Sequence, residues 1–246
     1  ASDPLDKKGV GALAAQLLGQ GTTTRTATEI AETIDYVGGI LDVGAGTDLS
    51  FVNVLVMRDS FDLAAELVAD IVRRPSFAPQ EIERQRQQVL SGLQVSYDDP
   101  TYLASIVFGR LVYGSHAYGL PHNGTERTVR AITRQDLQAF HEAHYAPNNA
   151  LLGIVGDIDA ETAFATAERV FGDWERKVVP EPAAPSLPEP TQRLVIVDKP
   201  GSTQTAIRVG HLGLARTSPD FLAFDVAMKI LGGEGGNRLG LSLIHI

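Results

Sequence analysis

Apolar positions recur at helical spacing over most of this chain, broken by a few short runs of strand period. Val10, Leu13, Leu17 and Leu18 predict a helix over residues 8–20, stopped by Gly21. Thr26 and Glu29 stand three apart as a capping box, and Ile30, Ile34 and Val37 share one face of a helix ending at Gly38-Gly39. Residues 51–57 switch period, with Phe51, Asn53 and Leu55 alternating against Val52, Val54 and Val56 as in a strand. Both faces of that run are largely apolar, which predicts a position inside a sheet. Ser60 is placed to cap a third helix carrying Leu63, Leu67, Ile71 and Val72, which must end before Pro75.

A long polar helix is predicted from Pro79 to Leu93, with Ile82, Arg86, Val89, Leu90 and Leu93 as its stripe, and another from Pro100 to about Tyr113. Asp98-Asp99-Pro100 between them reads as a helix stop and start. Residues 114–124 form a loop rich in Gly, His and Pro. Thr133 and Asp136 open the next helix, which ends near Tyr145-Ala146-Pro147. Leu151 to Val155 reads as a buried strand, and Asp159 caps a helix that ends at Gly172. Residues 180–190 are rich in proline and lack periodicity, the pattern of an extended linker. Beyond it, residues 194–197 and 205–209 read as strands. Ser218-Pro219 starts a helix with Leu222, Val226 and Ile230, stopped by Gly232-Gly233.

Strands separated by pairs of long helices predict an α+β fold, a largely antiparallel sheet with helices packed on one face, followed by the start of a second, similar domain. Residues 1–179 form the first domain, 180–192 the linker, and 193–246 the incomplete second domain.

Composition narrows the function classes. Apolar residues make up 43% and charged residues 21%, the balance of a soluble globular protein. No apolar run approaches the roughly 18 residues of a membrane span. The net charge of −9 is spread without long single-sign blocks, which argues against a nucleic-acid footprint. There is no cysteine, so disulfides, thiolate metal sites and a cysteine nucleophile are excluded. The chain begins at Ala1 with no signal-peptide pattern, which implies a removed leader or a start partway through a gene product.

Several segments, in order, resemble the insulinase/pitrilysin family of zinc peptidases, including its mitochondrial-processing-peptidase-like members. Residues 9–22, ending in Gly21-Thr22, have the length and flanks of that family's active-site helix. Gly114-Ser115-His116-Ala117-Tyr118-Gly119 and Asn123-Gly124-Thr125-Glu126 resemble its "G-x-P-Y-G … G-T-E" loop. Tyr145-Ala146-Pro147-Asn148-Asn149 followed by Val155-Gly156-Asp157 resembles its "Y-x-P-x-N … G-D" turn and strand. Leu231-Gly232-Gly233 with Asn237-Arg238-Leu239 resembles the second domain's "L-G-G … S-R-L". The resemblance covers the chain up to about Gly240, and Leu241 to Ile246 do not continue it.

The family's chemistry rests on His-x-x-Glu-His on a helix. The two His bind zinc from one face, and the Glu takes a proton from the metal-bound water. A carboxylate further along supplies the third ligand. The resemblance puts Ala12, Ala15 and Gln16 at the motif positions and Gly92 at the third-ligand position. Methyl groups neither ligate zinc nor accept a proton, so no zinc or other cofactor is expected in this chain. The implied role is that of a non-catalytic half or subunit. It would form chamber wall and substrate contacts, beside a partner that bears His-x-x-Glu-His and supplies zinc and hydrolysis.

Other constellations carry rival readings. His141 and His144, with Glu142, stand on one helix and would be the ligands of an active zinc peptidase with displaced ligands, although their i, i+3 spacing is less favourable than i, i+4. The bland alternative for them is edge-of-core packing. His116 and His122 lie in a loop open to a ligand or partner. A third reading is an assembly or binding protein with no peptidase partner. The glycine-rich run from Gly232 to Gly236 follows a helix, whereas a dinucleotide loop follows a strand, so it is read as a turn near the substrate chamber. Trp174, Tyr118 and the strand near Phe51 are candidates for a peptide-binding edge, since in this family substrates add as a strand to the sheet. The family has two strands ahead of its active-site helix. A domain without them would expose unpaired backbone, which predicts poor solubility. Bacterial relatives of this type are often exported, which favours the periplasm.

Overall fold

The computed structural model describes residues 2–181, 187–189, 191–233 and 237–239, arranged as two units, residues 1–208 and 209–246. In the first unit, α1 (Val10–Leu17) is buried along its whole length except at Gln16. A helix this short and apolar on all sides is stable only when surrounded. Its Val10, Leu13, Ala14 and Leu17 pack with Phe77, Ile82, Ile132 and Leu137 in the largest core cluster. Burying each such aliphatic side chain contributes about 1.5–3 kcal/mol, so the wrapping of α1 is a main source of stability. The N–H groups at its start, which have no partner within the helix, are met by Asp3, whose carboxylate accepts from the Gly9 and Gly11 amides at 2.9 and 3.1 Å. An anion there complements the helix dipole, and Lys8 Nζ lies 3.5 Å from the same carboxylate in a buried pair. Gly9 takes a left-handed φ of 98°, a conformation glycine adopts without cost.

The helix α2 (Ala27–Tyr36) starts with the expected reciprocal capping box between Thr26 and Glu29. It leads into β1 (Ile40–Ala45), which pairs antiparallel with β2 (Ser50–Leu55) from Ile40↔Leu55 to Ala45↔Ser50. One face of this hairpin, with Leu41, Val52 and Val54, packs on Leu18, Ile30, Ile34, Leu67 and Ile71. Helices therefore cover one face of an antiparallel sheet. The other face leaves Ile40 and Leu55 exposed.

Next come α3 (Phe61–Arg73), α4 (Pro79–Asp98) and α5 (Pro100–Tyr113). Asp99 separates the last two and accepts from the Thr101 amide at 2.8 Å, the stop and start expected there. A six-residue helix, α6 (Glu126–Ala131), follows, then α7 (Arg134–His144) behind a Thr133–Asp136 capping box, and α8 (Ala160–Phe171) capped by Asp159. The carbonyls at the end of α6 are held by cations from elsewhere. Arg86 of α4 donates to Val129 and Ile132, and Lys7 donates to Ala131.

Several expectations are corrected. The strand over 51–57 is one of only two paired strands among the described residues, so it does not lie inside a larger sheet. Leu151 to Val155 is neither paired nor buried; Leu151 and Val155 are fully exposed. Residues 194–197 and 205–209 are likewise unpaired, and Leu194 and Ile196 are exposed. All three runs have strand composition, but a strand exists only where a neighbour takes its hydrogen bonds. Ser60 makes no cap bond, because a 3-10 turn over Arg58–Ser60 already leads into α3. The first helix is shorter than predicted, and the helix begun at Pro79 runs five residues past Leu93.

In the second unit, α9 (Phe221–Met228) continues into a π turn over Lys229–Gly233 and has no buried residue. Arg216 lies over the Phe221 ring at 5.8 Å. Much of the expected linker (residues 182–186 and 190), the rest of the expected glycine-rich turn (Glu234 to Gly236) and the end of the chain (Gly240 to Ile246) lie outside the described residues.

Candidate functional site

The positions that the family resemblance gives to zinc lie on α1 and α4. Ala15 is 0% exposed and Ala12 7%, both facing core, while Gln16 is half-buried. Gly92 stands on the opposite side of its helix from this packing. A Cβ added there would meet nothing within 4 Å, whereas its neighbours Leu90 and Leu93 are buried. Two methyl groups, one amide and one glycine do not fit a zinc ion, which takes imidazole, thiolate or carboxylate ligands.

His141 and His144 share α7 but are engaged with different neighbours. His141 is half-buried, its Nε2 lies 2.7 Å from the Val72 carbonyl, and its ring stacks on Tyr145 at 4.5 Å. Burial pushes its pKa down, aided by Lys177, against the opposing pull of the Val72 carbonyl and Glu142. A carbonyl only accepts, so Nε2 is the donor, and the bond ties α7 to the last turn of α3. His144 packs against Phe140 at 4.5 Å and is pushed down mainly by burial. His122 is also lowered, by burial first and then by Lys8. His116 accepts from the Tyr118 amide at 3.2 Å and lies among the rings of Tyr113 and Tyr118. Among the described residues, no group of three or more His, Asp or Glu comes together as a metal site.

Of the three features proposed as a peptide-binding edge, two meet. The Tyr118 hydroxyl donates to Asp48 at the tip of the β1–β2 hairpin at 2.8 Å. Trp174 instead packs near Phe171, with ring centroids 6.0 Å apart. Along the hairpin, β1 pairs only with β2 among the described residues, so its second edge is free. Beside β1 and α2 lies a cleft of about 420 Å³, lined by Ile30, Ile34, Ile40, Leu41 and Val43 with Gln20 and Asp35.

One polar centre had no counterpart in the sequence reading. Asp70 of α3, whose side chain is 1% exposed, accepts from Thr22 Oγ1 at 2.6 Å, Thr24 Oγ1 at 2.7 Å and Arg25 Nη1 at 2.8 Å. Arg74 Nε lies 2.9 Å from its other oxygen as an ion pair without hydrogen-bond alignment. Burial raises the carboxyl's pKa, but the two hydroxyls, Arg25 and Arg74 together outweigh it and hold the group below the usual aspartate range. This centre fastens the segment that leaves α1 to α3. The signal for it was the polar run Thr22 to Arg25, which needed a partner once Thr22 was buried.

The insulinase (peptidase family M16) model matches residues 1–114, and the peptidase M16 inactive domain model matches residues 131–245. The chain belongs to the insulinase family. An uncharacterized zinc protease of Mycobacterium leprae is 30% identical over 228 residues, which cover 91% of this chain and 51% of the relative. One from Rickettsia felis is 30% identical over 171 residues, 70% of this chain and 42% of the relative. The chain thus spans about half the length of the curated relatives it matches. The crystal structure of a peptidase M16 inactive domain from Pseudomonas fluorescens superposes with a TM-score of 0.74 at 26% identity, over 95% of this chain and 57% of that one. The periplasmic protease PqqL from Escherichia coli shares the fold, with a TM-score of 0.67 at 18% identity over 75% of this chain and 21% of that one. No helix among the described residues is long and apolar enough to cross a membrane.

Proposed function

We propose that this chain is a non-catalytic half of an insulinase-type peptidase, forming chamber wall and peptide contacts beside a partner or second half that carries His-x-x-Glu-His and zinc. The observation that carries this reading is α1, where Ala12 and Ala15 are packed as core and Gln16 offers only an amide. Hydrolysis in this family needs zinc ligands and a general base, and the motif positions together with Gly92 supply neither. The likeness to the Pseudomonas inactive domain, which extends over 95% of this chain, supports the same assignment. For peptide contacts, the free edge of β1 suits an extended segment bound through backbone hydrogen bonds, with its side chains over the cleft beside α2. The periplasmic location of PqqL favours an exported protein. The rival reading, with His141 and His144 as displaced ligands, is disfavoured because His141 is committed to the Val72 carbonyl.

The test is metal analysis of the purified chain together with cleavage of a quenched fluorescent peptide, alone and mixed with a His-x-x-Glu-His chain encoded beside it. The expected result is no stoichiometric zinc and no cleavage by the chain alone, with cleavage in the mixture exceeding that of the partner alone. One tight zinc per chain with chelator-sensitive cleavage sinks the proposal. A mixture no more active than the partner alone turns the reading toward an assembly protein.

A further inference from the structure

We draw no further inference here: the strongest candidate, the cleft between α2 and the free edge of β1, belongs to the peptide-contact surface already described and restates how this family holds extended peptides.

Discussion

Replacing Asp70 by Asn keeps the size of the side chain and removes its charge at the most heavily bonded buried carboxylate described. Two hydroxyls and one guanidinium donate to it, and a second guanidinium pairs with it. A hydrogen bond to a charged group contributes about 1.5–3 kcal/mol and a neutral one about 0.5–1.5, so each hydroxyl bond loses roughly 1 kcal/mol. Arg25 and Arg74 are 32% and 55% exposed, so water replaces much of their share. The amide nitrogen adds a donor facing donors. Together these give a loss of about 2–3 kcal/mol, or about 4–12 °C in melting temperature for a chain of this length.

The sign with pH follows from the lowered carboxyl. Asp70's contribution is fully present above the unfolded-state pKa and is lost as pH falls through the lower folded-state value. Thermal melts of both proteins across the acid range should therefore show a gap that is widest near neutrality and closes on acidification. Equal melting temperatures near neutral pH, or a gap that does not change with pH, would refute the reasoning.

Ala15→Glu, which restores a carboxylate at the motif's base position, should bind no zinc. It should lower stability by at least about 1–3 kcal/mol through overpacking at a fully buried site; metal analysis and urea unfolding check both. Gly9→Ala should be more damaging than Gly38→Ala. Both have left-handed φ, but a Cβ at Gly9 would lie 2.7 Å from the Asn123 carbonyl oxygen, while one at Gly38 meets nothing within 4 Å. The second should cost only the conformational penalty of about 1–2 kcal/mol, and paired melts read the difference. Burial lowers the His141 pKa in the folded chain, so the unfolded chain takes up its proton first and stability falls as pH drops below the unfolded imidazole value. His144 and His122 are lowered too, so His141→Gln should make that limb of the melting profile shallower without removing it, and an unchanged limb contradicts the assignment.

The helices were legible because their signals are local. Thr26–Glu29, Thr133–Asp136 and Asp159 each sit beside the amides they satisfy, and the structure shows all three caps. Strands were not legible in the same way, since residues 151–155 and 194–197 have the right composition but pair with no neighbour among the described residues. In β1 the alternation was hidden by Asp42 and Gly44. The second is explained by the Phe51 ring, which occupies the space a Cβ would need. At the candidate site, Ala12, Ala15 and Gln16 were read as a set from the resemblance, and they share one short helix. Gly92 depended on a separation counted from α1 across the intervening elements, and its helix turns it toward open space. Asp70 was missed because the stripe Leu63, Leu67, Ile71 and Val72 already explained α3.

The cations at the end of α6 carry a consequence for the order of assembly. Six residues are too few to hold a helix alone, and among the described residues the carbonyls of Val129, Ala131 and Ile132 take donors from α4 and from the chain's opening residues. α6 is therefore expected to form late, once two remote segments have docked. Its amides should be among the first in the helical part of this unit to exchange with solvent, well before those of α1.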